Sequence, residues 1–130
     1  MADAARRTGL GIAVVIAANR TRHPLDARTL ARLAAQYVDR GVVGFGLSND
    51  ERRGRTGDFA PAFRIADRAG LLLDPHGGEL LGPESVRLCL DELHAQRLGH
   101  RGLEAEGPAL LGPGGVDGIA VEGCPAANAA

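Results

Sequence analysis

The sequence predicts an α/β fold built on a parallel sheet, and three observations carry that prediction. Apolar runs of strand length begin near residues 11, 42, 71 and 97, and a last one covers 119–123. Stretches with helical apolar spacing fill most of the gaps between them. The first run is continuous rather than alternating, the pattern of a strand buried on both faces. Strand and helix in alternation imply crossover connections and parallel neighbours.

Gly11 to Ala18 (GIAVVIAA) is the first strand, rich in β-branched residues and bounded by the polar turn Asn19 to Pro24. Asp26 is positioned to cap the helix that follows, whose apolar stripe would be Leu30, Leu33, Ala34, Tyr37 and Val38, with Gly41 as its stop. Val42 to Leu47 (VVGFGL) reads as the second strand and Ser48 to Gly57 (SNDERRGRTG) as a charged loop. Asp58 would cap the next helix, with Phe59, Phe63 and Ala66 inward and Gly70 at its end. Leu71 to His76 is the third strand. Pro83 then suits the first turn of a helix with Val86, Cys89, Leu90 and Leu93 on its inner face. Arg97 to His100 is a short fourth strand, and Ile119 to Gly123 a fifth. Residues 102–118 carry too much glycine and proline for a regular crossover helix. Residues 1–10 read as an N-terminal tail and 11–130 as one domain.

Two architectures share this signature: a five-stranded open, doubly wound sheet, and part of an eight-stranded (β/α) barrel, which normally takes about 250 residues. With 130 residues, length alone favours the open sheet. The formal net charge of -1 excludes bulk electrostatic attraction to nucleic acid or an anionic membrane as the main interaction. Cys89 and Cys124 form no C-x-x-C pair and no disulfide framework, so a reducing compartment is expected. The run Leu10 to Ala18 is too short to span a bilayer, and Met1 to Gly9 lacks a signal-peptide hydrophobic region. A cytoplasmic location is the expectation.

In either architecture functional groups collect at the carboxyl ends of the strands, where His76 and His100 fall. Glu79 follows His76 by three residues, past Gly77 and Gly78, whose missing side chains leave the backbone room beside a ligand. A histidine and a carboxylate so placed can act on one small molecule. Each also has a plain structural alternative, a hydrogen-bonded strand-end histidine and a glutamate in a flexible turn. His94, at a helix end, and His23, in a turn, read as surface residues. The loop 48–57 either cradles a polar ligand or is a solvated connection, the latter being the default. The sequence has no G-x-G-x-x-G after a strand, P-loop, H-x-H, H-E-x-x-H or cysteine cluster, so its obvious motifs assemble neither a nucleotide-phosphate cradle nor a complete zinc site.

Taken together and in order, "VVGFGLSNDE", "PHGGELLGPESV", "RLGH" and "EGCPAAN" resemble the middle of the adenosine deaminase family, zinc aminohydrolases of the metallo-dependent hydrolase superfamily. The likeness runs from about Gly11 to Asn128. It implies a (β/α) barrel in place of the open sheet, with the five strands here as the third to seventh of eight. It further implies one zinc ion ligated by His76, Glu79 as the acid that protonates the purine ring, and His100 as the group that orients or deprotonates the zinc-bound water. Asn49 falls where the family usually has a glycine whose backbone contacts the purine, and Gly78 lies beside the same ligand. Zinc lowers the pKa of water to about 7, and hydroxide then attacks the amino-bearing carbon of a 6-aminopurine. Adenosine or a related aminopurine would give the 6-oxo purine and ammonia.

Departures from the family pattern set a further expectation. Its first-strand H-x-H and eighth-strand aspartate have no counterpart in this sequence, G-H-G reads "GHR" with Arg101, the fourth-strand acid is Gly46, and "CPAAN" lacks hydroxyls. His76 is then the one protein ligand of the usual set, where three or four are needed. A partial barrel also exposes strand edges and apolar surface. The chain by itself is expected to be an impaired deaminase that self-associates or is completed by another chain. The alternative is a non-catalytic purine- or protein-binding remnant of the same fold.

Overall fold

The structure is a computed structural model and describes residues 2–99 and 119–122. Among the described residues five parallel strands follow one another: β1 (Val14–Asn19), β2 (Val42–Ser48), β3 (Leu72–Pro75), β4 (Arg97–Leu98) and β5 (Ala120–Val121). β1 pairs with β2 and β2 with β3, while β4 pairs with β5. A parallel bridge between His76 and Gly99 joins the two groups, backed by hydrogen bonds from Gln96 N to Leu73 O and from Gly99 N to Pro75 O. The strand order is therefore sequential throughout. A doubly wound open sheet reverses direction at a switch point; no reversal occurs here, and the fold is part of a (β/α) barrel.

β1 begins at Val14, three residues inside its apolar run, because the ladder can open only where its partner begins. Val14 N donates to Gly41 O, and Val42 is the first residue of β2 to pair. Ahead of it lies a seven-residue helix, α1 (Ala2–Thr8), with no buried residue. No helix among the described residues is long and apolar enough to cross a membrane.

Helix α2 (Pro24–Gln36) starts two residues before the expected cap. His23 is the N-cap: its imidazole Nδ1 accepts the Leu25 N–H at 3.1 Å, and Pro24 takes the first helical position. Asp26 instead lies in the first turn. The inner stripe is also rotated from the expected one. Ala27, Ala31 and Ala34 are buried, whereas Leu33 and Tyr37 are 49% and 41% exposed. Alanine lets α2 approach the sheet and the next helix closely, so the small residues win the interface and the larger ones border an open apolar groove of about 260 Å³ with Ile16, Leu30 and Val42.

Helix α3 (Ala60–Arg68) is preceded by a 3-10 turn, Thr56–Phe59. Asp58 falls inside that turn and makes no cap hydrogen bond; Phe59 holds the cap position by backbone alone. Phe59, Phe63 and Ala66 are buried as expected. Helix α4 (Pro83–Leu93) has Pro83 at its start and Val86, Cys89 and Leu93 buried. It stops at His94, a non-glycine residue in the left-handed region at φ 53°. His23 and His94 are both exposed.

The core lies between the sheet and these helices. Phe45, Leu47 and Leu73 point toward the helices, and Phe45 meets Phe63 edge to face at 5.2 Å between centroids. Strand alternation puts Gly44, Gly46, Leu72 and Asp74 on the opposite face, the interior of a barrel.

Candidate active site at the carboxyl ends of the strands

β3 ends in the turn His76–Gly77–Gly78–Glu79, so the histidine and glutamate singled out in the sequence emerge together at the carboxyl end of the sheet. His76 N–H donates to Leu47 O at 2.7 Å, which ties the turn to the end of β2. The His76 carbonyl accepts from Arg20 Nη2 at 3.1 Å and from the Cys89 thiol at 3.6 Å. The imidazole lies close against Gly99: a Cβ at that position would stand 2.5 Å from Cδ2 and 2.9 Å from Nε2. Gly77 is equally confined, because a Cβ there would come within 2.7 Å of Cys89 Sγ. Gly78 is buried at φ 84°.

Asn49, the first residue after β2, is exposed and adopts φ 77°. Only glycine adopts this conformation freely, and asparagine tolerates it better than most residues. An asparagine here, where the resemblance implies a glycine, is thus conformationally explained. Its Nδ2 donates to Ser48 Oγ at 3.4 Å. The structure brings His76, Gly78 and Glu79 into one turn with Asn49 at the neighbouring strand end, while His100 lies outside the described residues.

Three further charged groups lie near this turn that no sequence motif marks. Arg20, at the end of β1, is 1% exposed, and its Nη1 donates to Thr56 Oγ1 at 3.4 Å. Glu51, inside the loop read as solvated, is 3% exposed; its Oε1 accepts from Glu79 N and its Oε2 from Leu80 N and Leu81 N, at 3.0–3.1 Å. The loop is solvated only in part. Asp50 fits the expectation, accepting both a backbone and a bidentate side-chain bond from Arg52, which hold its carboxyl down at about 2. Asp74, the third group, faces the barrel interior in register with Gly46. Burial pushes its carboxyl up, Glu122 adds to that, and Arg97 and His76 oppose it. No hydrogen-bond partner reaches Asp74 Oδ1 among the described residues. Arg20 gave one sequence signal, a charge directly after an apolar strand; Glu51, between Asp50 and two arginines, gave none.

Among the described residues no group of three or more His, Cys, Asp or Glu side chains is arranged to hold a metal ion. Catalytic zinc normally takes three protein ligands. His76 supplies one imidazole, so the described residues do not make a zinc site by themselves. Cys89 does not extend the set: it is fully buried, its thiol donates to the His76 carbonyl at 3.6 Å, and burial pushes that thiol up to about 12. Neutral sulfur suits the folded state. The stability it contributes is therefore present below its ordinary value of 9.0 and is lost as pH rises from there to about 12. At pH 8 a thiol reagent is expected to leave Cys89 unmodified in the native chain and to label it in denaturant, as read by peptide mass; rapid native labelling would contradict the burial.

Sequential parallel strands with a histidine, a glycine pair and a glutamate at their carboxyl ends define part of a (β/α) barrel whose polar groups gather at the end where such barrels carry their sites. The family model "Adenosine deaminase" matches residues 1–130, and the chain belongs to that family. It is 64% identical over 127 residues to a putative adenosine/adenine deaminase of Streptomyces virginiae, covering 98% of this chain and 38% of the relative. With an adenine deaminase of a Chelativorans species it shares 38% identity over 128 residues, 98% of this chain and 39% of that one. Among solved structures it resembles a zinc-bound amidohydrolase from Burkholderia ambifaria at TM-score 0.71 and 29% identity, over 77% of this chain and 28% of that one. The chain thus spans about two fifths of the length of the curated relatives it matches.

Proposed function

We propose that this chain carries the acid and one metal ligand of a hydrolytic deaminase for adenine or adenosine, in an active centre that other strands complete. The observation that carries the reading is the locked turn His76–Gly77–Gly78–Glu79 at the carboxyl end of β3, in a chain 64% identical to a putative adenosine/adenine deaminase. Water adds at the amino-bearing carbon of the purine and ammonia leaves, giving the 6-oxo purine. Glu79, protonated, donates to the adjacent ring nitrogen and makes that carbon more electrophilic. Asn49 and Gly78 would border the purine, and His100 would serve the attacking water. The neighbour with bound zinc supports zinc as the family's ion, with His76 as its ligand from this chain.

Adenine is the first substrate to test, because the Chelativorans relative is an adenine deaminase and the Streptomyces relative is described for adenosine or adenine. Ammonia release and zinc content should be measured on the purified chain, and again after coexpression with the remaining strands of the Streptomyces virginiae relative. We expect little turnover from the chain alone. In the completed assembly Glu79→Gln should lower adenine turnover by about a hundredfold or more, the usual scale for a positioned acid. Full activity in that variant would remove Glu79 from the chemistry. Purine binding without turnover in either preparation would favour a non-catalytic binding module, a reading supported by the incomplete metal-ligand set among the described residues.

A further inference from the structure

Two buried side chains of opposite charge reach the two ends of the His76–Glu79 turn, and neither has a role in the chemistry proposed above. Arg20, from the end of β1, donates Nη2 to the carbonyl that begins the turn. Glu51, from the loop after β2, accepts the three successive N–H groups of Glu79, Leu80 and Leu81, through which the chain leaves it. Three consecutive amides converging on one point form an anion-binding concavity. Here the chain's own carboxylate fills it.

We propose that Glu51, seconded by Arg20, is the positioning residue for Glu79: it fixes the backbone from which the acid is presented. The assignment rests on the reading of Glu79 as the proton donor. Gly77 and Gly78 make such a device necessary, because two glycines leave the turn with more backbone freedom than any other pair of residues. Untethered, the turn would lose an acid held in place relative to His76. Hydrogen bonds from amides to a carboxylate are stronger than neutral ones, and the glutamate that accepts these three is only 3% exposed. Both oxygens are occupied, Oε1 by one N–H and Oε2 by two. A glutamine cannot replace the carboxylate, since its NH₂ group would face at least one of these donors in either amide orientation. Aspartate keeps the charge but is one methylene too short to reach all three.

The test is amide hydrogen exchange, residue by residue, on the 130-residue chain as wild type, Glu51→Gln and Glu51→Asp, with adenine kinetics on the same proteins in the completed assembly. Exchange at Glu79, Leu80 and Leu81 should accelerate by at least about tenfold in Glu51→Gln and less in Glu51→Asp, while Phe45 and Leu47 in β2 stay protected. In the kinetics kcat should fall at least about tenfold with KM unchanged, and aspartate should restore part of it. Unchanged exchange at the three amides, or unchanged kcat in Glu51→Gln, would overturn the assignment. Acceleration throughout the chain in both variants would also overturn it, by making Glu51 a residue of general stability. Should the wild-type assembly not deaminate adenine, that failure belongs to the proposed function, and the local exchange pattern alone decides whether Glu51 holds the turn.

Discussion

Truncation of Phe45 to alanine is expected to destabilise the chain by about 3–5 kcal/mol, the usual range for removing a buried phenylalanine. Phe45 lies at the centre of β2, is fully buried and packs edge to face on Phe63 of α3. It therefore links the middle strand to the helical layer, and its loss leaves a cavity bounded by both. Neighbouring alanines such as Ala62 and Ala66 cannot fill such a space by changing rotamer. Against a typical domain stability of about 5–15 kcal/mol, the change is a large fraction of the total. Urea unfolding followed by circular dichroism would show a lowered midpoint with an unchanged slope. A shift of less than about 1 kcal/mol would mean that the Phe45 site is already loosely packed, contrary to its burial.

Replacing Gly99 by alanine should act on the site itself. The added methyl would occupy space within 2.5 Å of the His76 ring, closer than any Cβ contact tolerates, so the imidazole must turn away or β4 must retreat from β3. Overpacking of this kind costs about 1–3 kcal/mol. The effect on turnover should be larger than that, because a misplacement of roughly 1 Å at a reacting group can cost a hundredfold. In the completed assembly, lower zinc content, adenine turnover down by about that factor and a shifted His76 ring resonance are the expected results. Wild-type turnover in Gly99→Ala would show that the ring's present seat has no part in the reaction.

Much of the scaffold was legible because strand and helix periods are short-range signals. Pro83 began α4, and Phe63, Val86 and Leu93 face the core as their spacing required. Where the structure departs from those signals, competition in three dimensions decides. Asp26 and Asp58 are good caps by type, yet His23 accepts the Leu25 N–H at the start of α2 and a 3-10 turn runs straight into α3. Spacing and hydrophobicity put Leu33 and Tyr37 inward with Ala34, but the interface keeps Ala34 and takes the smaller Ala27 and Ala31 in place of the other two. His76, Gly78 and Glu79 could be found as local spacing within one turn. Arg20 and Glu51 reach that turn across 56 and 28 residues of sequence, a separation no local pattern encodes. Length alone misdirected the architecture toward an open sheet; the motif resemblance pointed to the barrel that the strand order bears out.

That order has a consequence for how such a protein divides. Among the described residues each strand lies beside the one before it. A cut between two successive βα units severs one loop and leaves every other connection intact. The ladder can therefore lengthen one unit at a time from a formed edge, and two pieces of such a barrel can meet along matching strand edges without either unthreading. Modular growth of this kind makes reconstitution from separate chains a problem of edge recognition, governed by concentration and register and not by knotting.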